Sequence, residues 1–360
     1  MALPTKMKQW IVEGVGKDFE TLKCAEAEVP KVGENEVLVK IRAASLNYRD
    51  LIIPRGTYPF PAKFPIVPGS DGAGDVVEVG SKVTKWKKGD RVVTLFNQGH
   101  LYGALDRSTS STGVGGVVDG TLRQYAVFNE TGLVRAPKNL NYVEAATLTC
   151  AGLTSWNALY GLKVIKPGES VLVQGTGGVS LFALQVCFPR PRPRQQETSP
   201  CCARNKLTTV LQFAKAAGAI VIATTSSKEK EKTLKKLGAN HVLNYKEDAN
   251  WGETAKKLTG GEGVDHVIEV GGADTLHHSL NAIKYEGIIS IIGFLGGKKV
   301  ESSLLECLSH ICIARGIYVG SRQQMEEMVA AIEANDIHPV VDSKTFSLEQ
   351  TKEAYQYQVS

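Results

Sequence analysis

The sequence predicts an α/β protein in which a doubly wound parallel sheet is joined to a second, mostly antiparallel β-domain. The first observation is that residues 7 to about 135 contain short alternating strands, such as Val37–Ile41, separated by Gly/Pro turns. The second is that residues from about 140 to 297 alternate apolar strands with lysine-rich amphipathic helices, such as Lys228–Leu237. A chain of 360 residues is long enough for two such domains, each with its own core.

The elements of the second half fix the domain borders. The strands of the parallel sheet are expected at Val171–Gln174, Ala219–Thr224, His241–Asn244, His266–Val270 and Gly287–Gly293. After residue 298 the pattern becomes mixed again, with a helix expected over Gln323–Ala334. We therefore assign residues 1–135 to the β-domain, to which residues 298–360 return, and residues 136–297 to the parallel-sheet domain.

Composition and charge exclude several classes of partner. The net charge is +5, but the segment 186–212 alone carries +4, so the rest of the chain carries only +1. This gives no reason to expect nucleic acid or a membrane as partner. The seven cysteines form no CxxC pair, the N-terminus lacks the apolar run of a signal peptide, and no stretch is long enough to span a bilayer. A cytoplasmic protein with reduced thiols is expected.

A glycine-rich turn follows the first strand of the parallel sheet. The turn reads Gly175, Thr176, Gly177, Gly178, Val179, and an apolar helix begins at Ser180. A backbone without Cβ atoms can approach a diphosphate closely, and the first N–H groups of the helix can bind that anion. The turn therefore predicts a dinucleotide site.

The helix after this turn is interrupted by twenty-seven unusual residues, 186–212, and resumes at Phe213. Removing them restores an uninterrupted amphipathic helix, GVSLFALQFAKAAGA. Val186-Cys187 and Val359-Ser360 can each be encoded by an intron start, and Gln212 by an intron end. One hypothesis is that the chain contains a retained intron and ends inside a second one, before the strand that closes the β-domain. The alternative is a genuine loop insertion and a short tail.

The position of the insertion has physical consequences. Pro189, Pro191 and Pro193 cannot continue a helix, so a disordered surface loop is expected, with the second helical half docking near Lys206–Ala217. Separating the two helical halves removes cooperativity and adds loop-closure entropy. We expect a destabilised fold and weakened, but not abolished, cofactor affinity.

Four strings in order carry a family resemblance: Gly69–Val93, Asp119–Val127, Cys150–Tyr160 and the VLVQGTGGVS of the glycine turn. Together they resemble the medium-chain dehydrogenase/reductase superfamily, and most of all its zinc-free quinone-oxidoreductase and enoyl-reductase branch, whose members are alcohol dehydrogenase-like in fold. The resemblance implies a GroES-like β-domain around a Rossmann domain, with NAD(P)H and a small-molecule substrate in the cleft between them.

The resemblance also indicates that the chain binds no zinc. In the zinc-dependent branch a cysteine stands at the position of Asn47, and a His-Glu pair stands at Ser70-Asp71. Asn47 and Ser70 are poor zinc ligands, and Cys150 alone, where a third ligand would be, makes no site. No metal is expected.

NADP(H) is the expected nicotinamide cofactor. From Gly175 to Thr224 is 49 positions, and removing the 27-residue segment leaves 22, close to the spacing at which an NAD site places an acid. Hydroxyls and lysines stand there before any acid, which favours a 2′-phosphate. By resemblance, Ser227, Lys230 and Tyr245 contact that phosphate, whereas the alternative makes the lysines a solvated helix start. The same resemblance implies that Thr154 faces the cofactor and that Arg322 reaches it.

Asn47 and Tyr58 are the catalytic candidates by their position in the family pattern. An amide and a phenol can both donate hydrogen bonds to an acceptor oxygen while the cofactor supplies hydride. The expected function is an NADPH-dependent oxidoreductase acting on a quinone or an activated enone or carbonyl. The alternatives are alcohol dehydrogenase-like activity, a non-catalytic cofactor-binding protein and an inactive product of intron retention. A homodimer is expected from the fold.

Overall fold

The computed structural model describes residues 3–175, 201–204 (backbone only), 210–293, 303–342 and 344–359. These residues form two compact units. The β-unit comprises residues 3–153, 201–204, 320–342 and 344–359, and the parallel-sheet unit comprises 154–175, 210–293 and 303–319. The units divide after residues 153 and 319, later than the expected borders at 135 and 297. The second border is later because the sixth strand of the parallel sheet, Ile313–Gly316, lies beyond residue 297.

The strands are β1 Lys6–Val12, β2 Leu22–Glu28, β3 Glu36–Leu46, β4 Asp71–Val79, β5 Arg91–Thr94, β6 Tyr125–Asn129, β7 Leu133–Arg135, β8 Ser170–Val173, β9 Cys201–Arg204, β10 Ile220–Thr225, β11 His241–Asn244, β12 Val264–Glu269, β13 Ile283–Ile291, β14 Ile313–Gly316 and β15 Thr345–Ser347. The α-helices are α1 Tyr48–Ile52, α2 Arg107–Ser110, α3 Tyr142–Ala146, α4 Leu153–Tyr160, α5 Val210–Ala216, α6 Lys228–Lys236, α7 Trp251–Leu258, α8 Leu276–Ala282, α9 Glu306–Ser309, α10 Arg322–Ala334 and α11 Thr351–Val359.

The β-unit has the expected, mostly antiparallel architecture. Strands β1 and β2 form an antiparallel pair, and a larger sheet has the order β15-β9-β3-β4-β5-β7, with β6 also paired to β3. The long central strand β3 is buried on both faces, because Val37, Val39 and Ile41 pack in one core cluster and Leu38 packs in another. The strand expected at Val37–Ile41 is confirmed, but only Lys40 is partly exposed there, so the strand is more buried than expected.

Part of the interrupting segment forms a strand of this sheet. Cys201–Arg204 form β9, which pairs in parallel with β3 and antiparallel with β15. The expectation of a disordered surface loop is therefore wrong for these four residues; residues 186–200 and 205–209 lie outside the described residues. Ladder pairing uses backbone groups only, so a sequence without a strand pattern can satisfy the hydrogen-bonding groups of β3.

The second helical half docks as expected. Helix α5 begins at Val210, so the last three residues of the segment, VLQ, are helical and stand directly before Phe213. Val210, Leu211 and Gln212 are buried, and the Phe213 ring packs edge-on against Trp156 at 5.2 Å between centroids. The segment thus contributes buried residues to the helix that it interrupts.

The parallel-sheet unit is a doubly wound sheet. Its six strands are all parallel, in the order β11-β10-β8-β12-β13-β14. The five expected strands are confirmed, and β14 is the additional one. Because the chain moves outward from β8 in one direction and from β12 in the other, the carboxyl ends of these two strands flank a crevice. In the described ranges, every helix is too short or too polar to cross a bilayer.

Candidate functional site

The glycine turn begins at the crevice between β8 and β12. Gly175 follows β8 with φ of +68°, a conformation that favours glycine. Its N–H donates to the hydroxyl of Thr224 on β10 at 3.2 Å, and Thr224 is buried. The first glycine is therefore fixed to the neighbouring strand at the carboxyl edge of the sheet. Thr176, Gly177, Gly178 and Val179 lie outside the described residues.

The residues expected at a 2′-phosphate follow the ends of β10 and β11. The Ser227 hydroxyl caps α6 by accepting from the Lys230 N–H at 3.5 Å. The Tyr245 N–H donates to the Thr225 carbonyl at 3.0 Å, which places Tyr245 beside the end of β10. Lys230 and Tyr245 are exposed. The fold therefore brings a hydroxyl, an ammonium and a phenol to one corner of the carboxyl edge.

Thr154 and Arg322 occupy different units. Thr154 is buried in the first turn of α4, in the parallel-sheet unit. Arg322 begins α10 in the β-unit, where its N–H donates to the His100 carbonyl at 2.9 Å. The Arg322 guanidinium is almost buried, and its Nε donates to Glu326 at 2.9 Å. Contact of either residue with a cofactor stays a prediction.

Of the two catalytic candidates, Tyr58 is hydrogen-bonded to the buried Arg49, and Asn47 is hydrogen-bonded to Asp50. Asn47 stands before α1, and its N–H donates to Asp50 Oδ2 at 2.8 Å. From the same helix, the buried Arg49 donates through Nε to the Tyr58 hydroxyl at 3.3 Å and through a terminal nitrogen to the Val114 carbonyl at 2.9 Å. Sequence reasoning did not select Arg49, because its burial becomes visible only in the structure.

Two buried carboxyl groups lie beside Asn47. Asp50 and Asp71 are almost completely buried. Burial raises the pKa of Asp50, although the adjacent Arg49 guanidinium opposes the shift. Burial also raises the pKa of Asp71 to about 7; the Ser70 hydroxyl, which donates at 2.6 Å, counters this shift, and the charge of Asp50 adds to it. Asp71 therefore carries its proton in about half of the molecules at neutral pH.

Cys150 and the Asn47 amide complete this cluster. The Cys150 N–H donates to Asp71 Oδ2 at 3.2 Å. Burial raises the pKa of the Cys150 thiol well above its ordinary value, and the charge of Asp71 adds to the shift. Asn47 Nδ2 is buried and makes no well-aligned hydrogen bond to a described residue, although the amide lies close enough to lower the pKa of Asp71. The cluster therefore presents hydrogen-bond donors.

This donor set does not fit a zinc ion. Zinc binds thiolate, imidazole or carboxylate in tetrahedral geometry, whereas Asn47 and Ser70 offer an amide and a hydroxyl. The raised pKa disfavours the thiolate form of Cys150. Within the part of the chain that the structure describes, no three histidine, cysteine or acidic side chains are grouped so that they could hold a metal ion.

Comparison with known proteins gives two family matches. Residues 33–138 match the alcohol dehydrogenase GroES-like domain, and residues 208–334 match the zinc-binding dehydrogenase domain. The second match starts inside the interrupting segment.

Individual proteins are similar over almost the whole chain. A zinc-type alcohol dehydrogenase-like protein of Schizosaccharomyces pombe is 46% identical, covering 98% of this chain and 96% of the relative. A quinone oxidoreductase of Lama guanicoe is 28% identical, with coverages of 94% and 89%.

Two solved structures share the fold. A Sinorhizobium meliloti 1021 protein assigned as an alcohol dehydrogenase aligns with a TM-score of 0.85 and 37% identity, covering 99% of this chain and 97% of that one. An Escherichia coli quinone oxidoreductase complexed with NADPH aligns with a TM-score of 0.74 and 24% identity, with coverages of 98% and 94%.

Proposed function

The chain belongs to the medium-chain dehydrogenase/reductase superfamily of oxidoreductases, and we propose that it transfers hydride from NADPH to a quinone or an activated enone without a metal ion. The observation that carries this proposal is the donor set around Asn47. Where a zinc enzyme needs ligands, this chain has an amide, a hydroxyl and a neutral thiol beside a carboxyl group of pKa about 7. These groups can donate hydrogen bonds to an acceptor oxygen.

The cofactor edge is compatible with a dinucleotide. Gly175 adopts a positive φ at the carboxyl end of β8, which is where doubly wound sheets bind their ligands. Ser227, Lys230 and Tyr245 offer two hydroxyl groups and one positive charge near the ends of β10 and β11, a set that suits a phosphate better than a ribose hydroxyl. When bound, the cofactor supplies the hydride; these residues bind and orient it.

Asn47 and Tyr58 are proposed to bind the acceptor oxygen. Negative charge grows on that oxygen as hydride arrives, and donors already in place stabilise it without reorganisation. Arg49 donates to the Tyr58 hydroxyl and thereby fixes the orientation of the phenol. Asp71 is mostly protonated below pH 7 and can hold a proton next to the Asn47 amide.

A cytoplasmic location remains part of the proposal.

The experiment measures oxidation of NADPH and NADH by the purified full chain with quinones, enones and aldehydes, and reduction of NADP⁺ and NAD⁺ with secondary alcohols. We expect NADPH consumption with quinones or enones, unchanged by a strong zinc chelator. Turnover confined to alcohols and abolished by the chelator would favour the alcohol dehydrogenase-like alternative, which the names of several relatives suggest. Binding of NADPH without turnover of any acceptor would favour a non-catalytic cofactor-binding protein.

The hypothesis of intron retention is tested on the transcript. Sequencing across the codons from Leu184 to Gln358 and beyond shows whether the codons of 186–212 remain in the mature message. If they are absent, the proposed function applies to the shorter protein. If they remain, the segment, including β9 and the start of α5, belongs to the protein, and the hypothesis is refuted.

A homodimer through the edge of the parallel sheet is part of the proposal. In the described chain, β14 is the last strand of that sheet. Next to it, Leu304, Leu305 and Leu308 expose between 72% and 88% of their surface. Strand edges and clustered exposed leucines are both features that a partner covers. Light scattering is expected to give twice the mass of one chain for the wild type and the mass of one chain for Leu305→Glu. A monomeric wild type would refute the proposed homodimer.

A further inference from the structure

The crevice at the carboxyl edge contains a buried carboxylate that the proposed chemistry does not use. Glu269 is the last residue of β12, and it has no exposed surface. β12 is hydrogen-bonded to β8, with Ile268 opposite Val173, so Glu269 lies where the strand order reverses. Burying a carboxylate is unfavourable unless hydrogen bonds replace its water.

Five donors replace that water. Oε1 of Glu269 accepts from the N–H of Gly271 at 2.8 Å, the N–H of Gly272 at 2.9 Å and the hydroxyl of Thr275 at 2.6 Å. Its Oε2 accepts from the Gln174 amide at 2.7 Å and from the Ser279 hydroxyl. The carboxylate thus ties the turn after β12 to the end of β8.

The link continues into the glycine turn. Gln174 directly precedes Gly175, and its Oε1 accepts from the N–H groups of Val270 at 3.2 Å and Gly271 at 3.3 Å. Gly175 in turn donates to Thr224 on β10. The carboxyl ends of β8, β10 and β12 are therefore connected by one chain of hydrogen bonds, all of it buried or partly buried.

Space is restricted in the turn that Glu269 organises. A Cβ on Gly271 would lie 2.3 Å from the Thr275 hydroxyl oxygen, and Gly272 has φ of +85°. The turn can take this shape only with glycine at these positions. Such a turn at the crevice between the two central strands is where a doubly wound sheet meets its ligand.

We propose that Glu269 is a positioning residue for the dinucleotide, which fixes the turn 270–275 and the start of the glycine turn in the shape that binds the cofactor. This inference rests on the proposed function, because it concerns the same cofactor. Loss of the Glu269 carboxylate should therefore weaken cofactor binding more than its loss of fold stability alone would explain.

The same pair of strands provides a matched control. Asp265 lies near the opposite end of β12, and its Oδ2 accepts from the Ser170 N–H at 2.8 Å and the Ser170 hydroxyl at 2.9 Å. Asp265 therefore also ties β12 to β8, but at the amino edge of the sheet. A merely structural role predicts that Glu269→Gln and Asp265→Asn lose affinity only in proportion to the stability that each loses in urea unfolding.

The experiment compares wild type, Glu269→Gln and Asp265→Asn in the full chain. Fluorescence titration with NADPH and with NADH gives the Kd, and hydrogen exchange of the ligand-free protein reports the amides of Gly271 and Gly272. We expect Glu269→Gln to raise the Kd about tenfold or more, because an amide N–H₂ would face other donors, and to accelerate exchange of both amides. Asp265→Asn is expected to change the Kd by less than about twofold.

An equal rise of Kd in both variants, or no rise in Glu269→Gln, would overturn the inference. If Glu269→Gln does not fold, Thr275→Ala replaces it, since it removes the hydroxyl that donates to Glu269 at 2.6 Å; a rise of about threefold is expected, and no change would overturn the inference. A wild-type chain that bound neither dinucleotide would overturn the proposed function, and hydrogen exchange would still decide whether Glu269 holds the turn.

Discussion

Replacement of Asp71 by asparagine should remove a measurable pH dependence of stability. Burial raises the pKa of this carboxyl group from 3.8 to about 7 in the folded protein, so the folded state holds the proton more tightly than the unfolded chain between these values. The Asp71 contribution to the free energy of unfolding is therefore present at low pH and falls as the pH rises through this window. Asp71→Asn cannot ionise and lacks this dependence.

The size of the effect follows from the shift. Between pH 5 and pH 8, a group with these two pKa values changes the free energy of unfolding by about 2.5 kcal/mol. The titratable groups beside Asp71 are the acid Asp50 and the thiol of Cys150, and the Arg49 cation acts on both of these. Removing the Asp71 charge also removes its repulsion of the Asp50 charge at high pH. This increases the stability of the variant relative to wild type in the same direction.

The assay is urea unfolding of wild type and Asp71→Asn at several pH values from 5 to 8. The stability of the variant relative to wild type should rise by about 2.5 kcal/mol across this range, whatever constant cost the lost hydrogen bonds add. Asp106→Asn is the control, because the hydrogen bonds of this exposed carboxylate lower its pKa to about 2 and its effect should be flat above pH 5. A flat difference for Asp71→Asn would refute the reasoning.

Three further predictions concern the candidate site and the core. Asn47→Ala should lower kcat by about 100-fold with little change in the Kd of NADPH, as expected for a donor to the developing oxyanion; loss of cofactor binding instead would contradict this role. Lys230→Glu should raise the KM of NADPH about tenfold or more and leave that of NADH unchanged, whereas Lys236→Glu at the far end of α6 should affect neither. His266 is fully buried, and burial lowers its pKa, so the unfolded chain binds the proton first and stability is lost as the pH falls through about 6.5. The free energy of unfolding of His266→Gln should therefore fall less than that of wild type between pH 7 and pH 5. An equal fall in both proteins would show that His266 does not contribute.

Apolar patterns predicted the strands β8, β10, β12 and β13 and the helix α10, all of which bury apolar residues. β11 was predicted too, although each of its residues is partly exposed. β14 was not predicted, because Ile313–Gly316 is four residues long and mostly exposed. β9 was not predicted either, since its pairing with β3 depends on backbone groups and not on the letters CCAR.

The candidate site was predicted in part. The corrected spacing from Gly175 identified the place of Ser227 and Lys230, because local spacing between a turn and the next strand survives once the insertion is removed. The cluster around Asp71 could not be found in this way. Asn47, Asp71 and Cys150 are far apart in sequence and meet only because β3 pairs with β4, with Ser45 opposite Asp71, and because the turn at Leu148–Gly152 places the Cys150 N–H beside the carboxylate.

The sequence by itself determined the class of fold, five strands of the parallel sheet and the position of a glycine turn typical of dinucleotide sites, since these depend on residue periodicity and on glycine at defined places. Only the tertiary structure decided the burial of Asp71 and the hydrogen bonds of Glu269. Both are carboxyl groups whose properties depend on the water they lose and the donors they gain, and the donors that join separate elements, Cys150 at Asp71 and Gln174 at Glu269, are distant in sequence. Residue type determines which groups can ionise or form hydrogen bonds, and burial and neighbouring groups determine which protonation state and which hydrogen bonds occur.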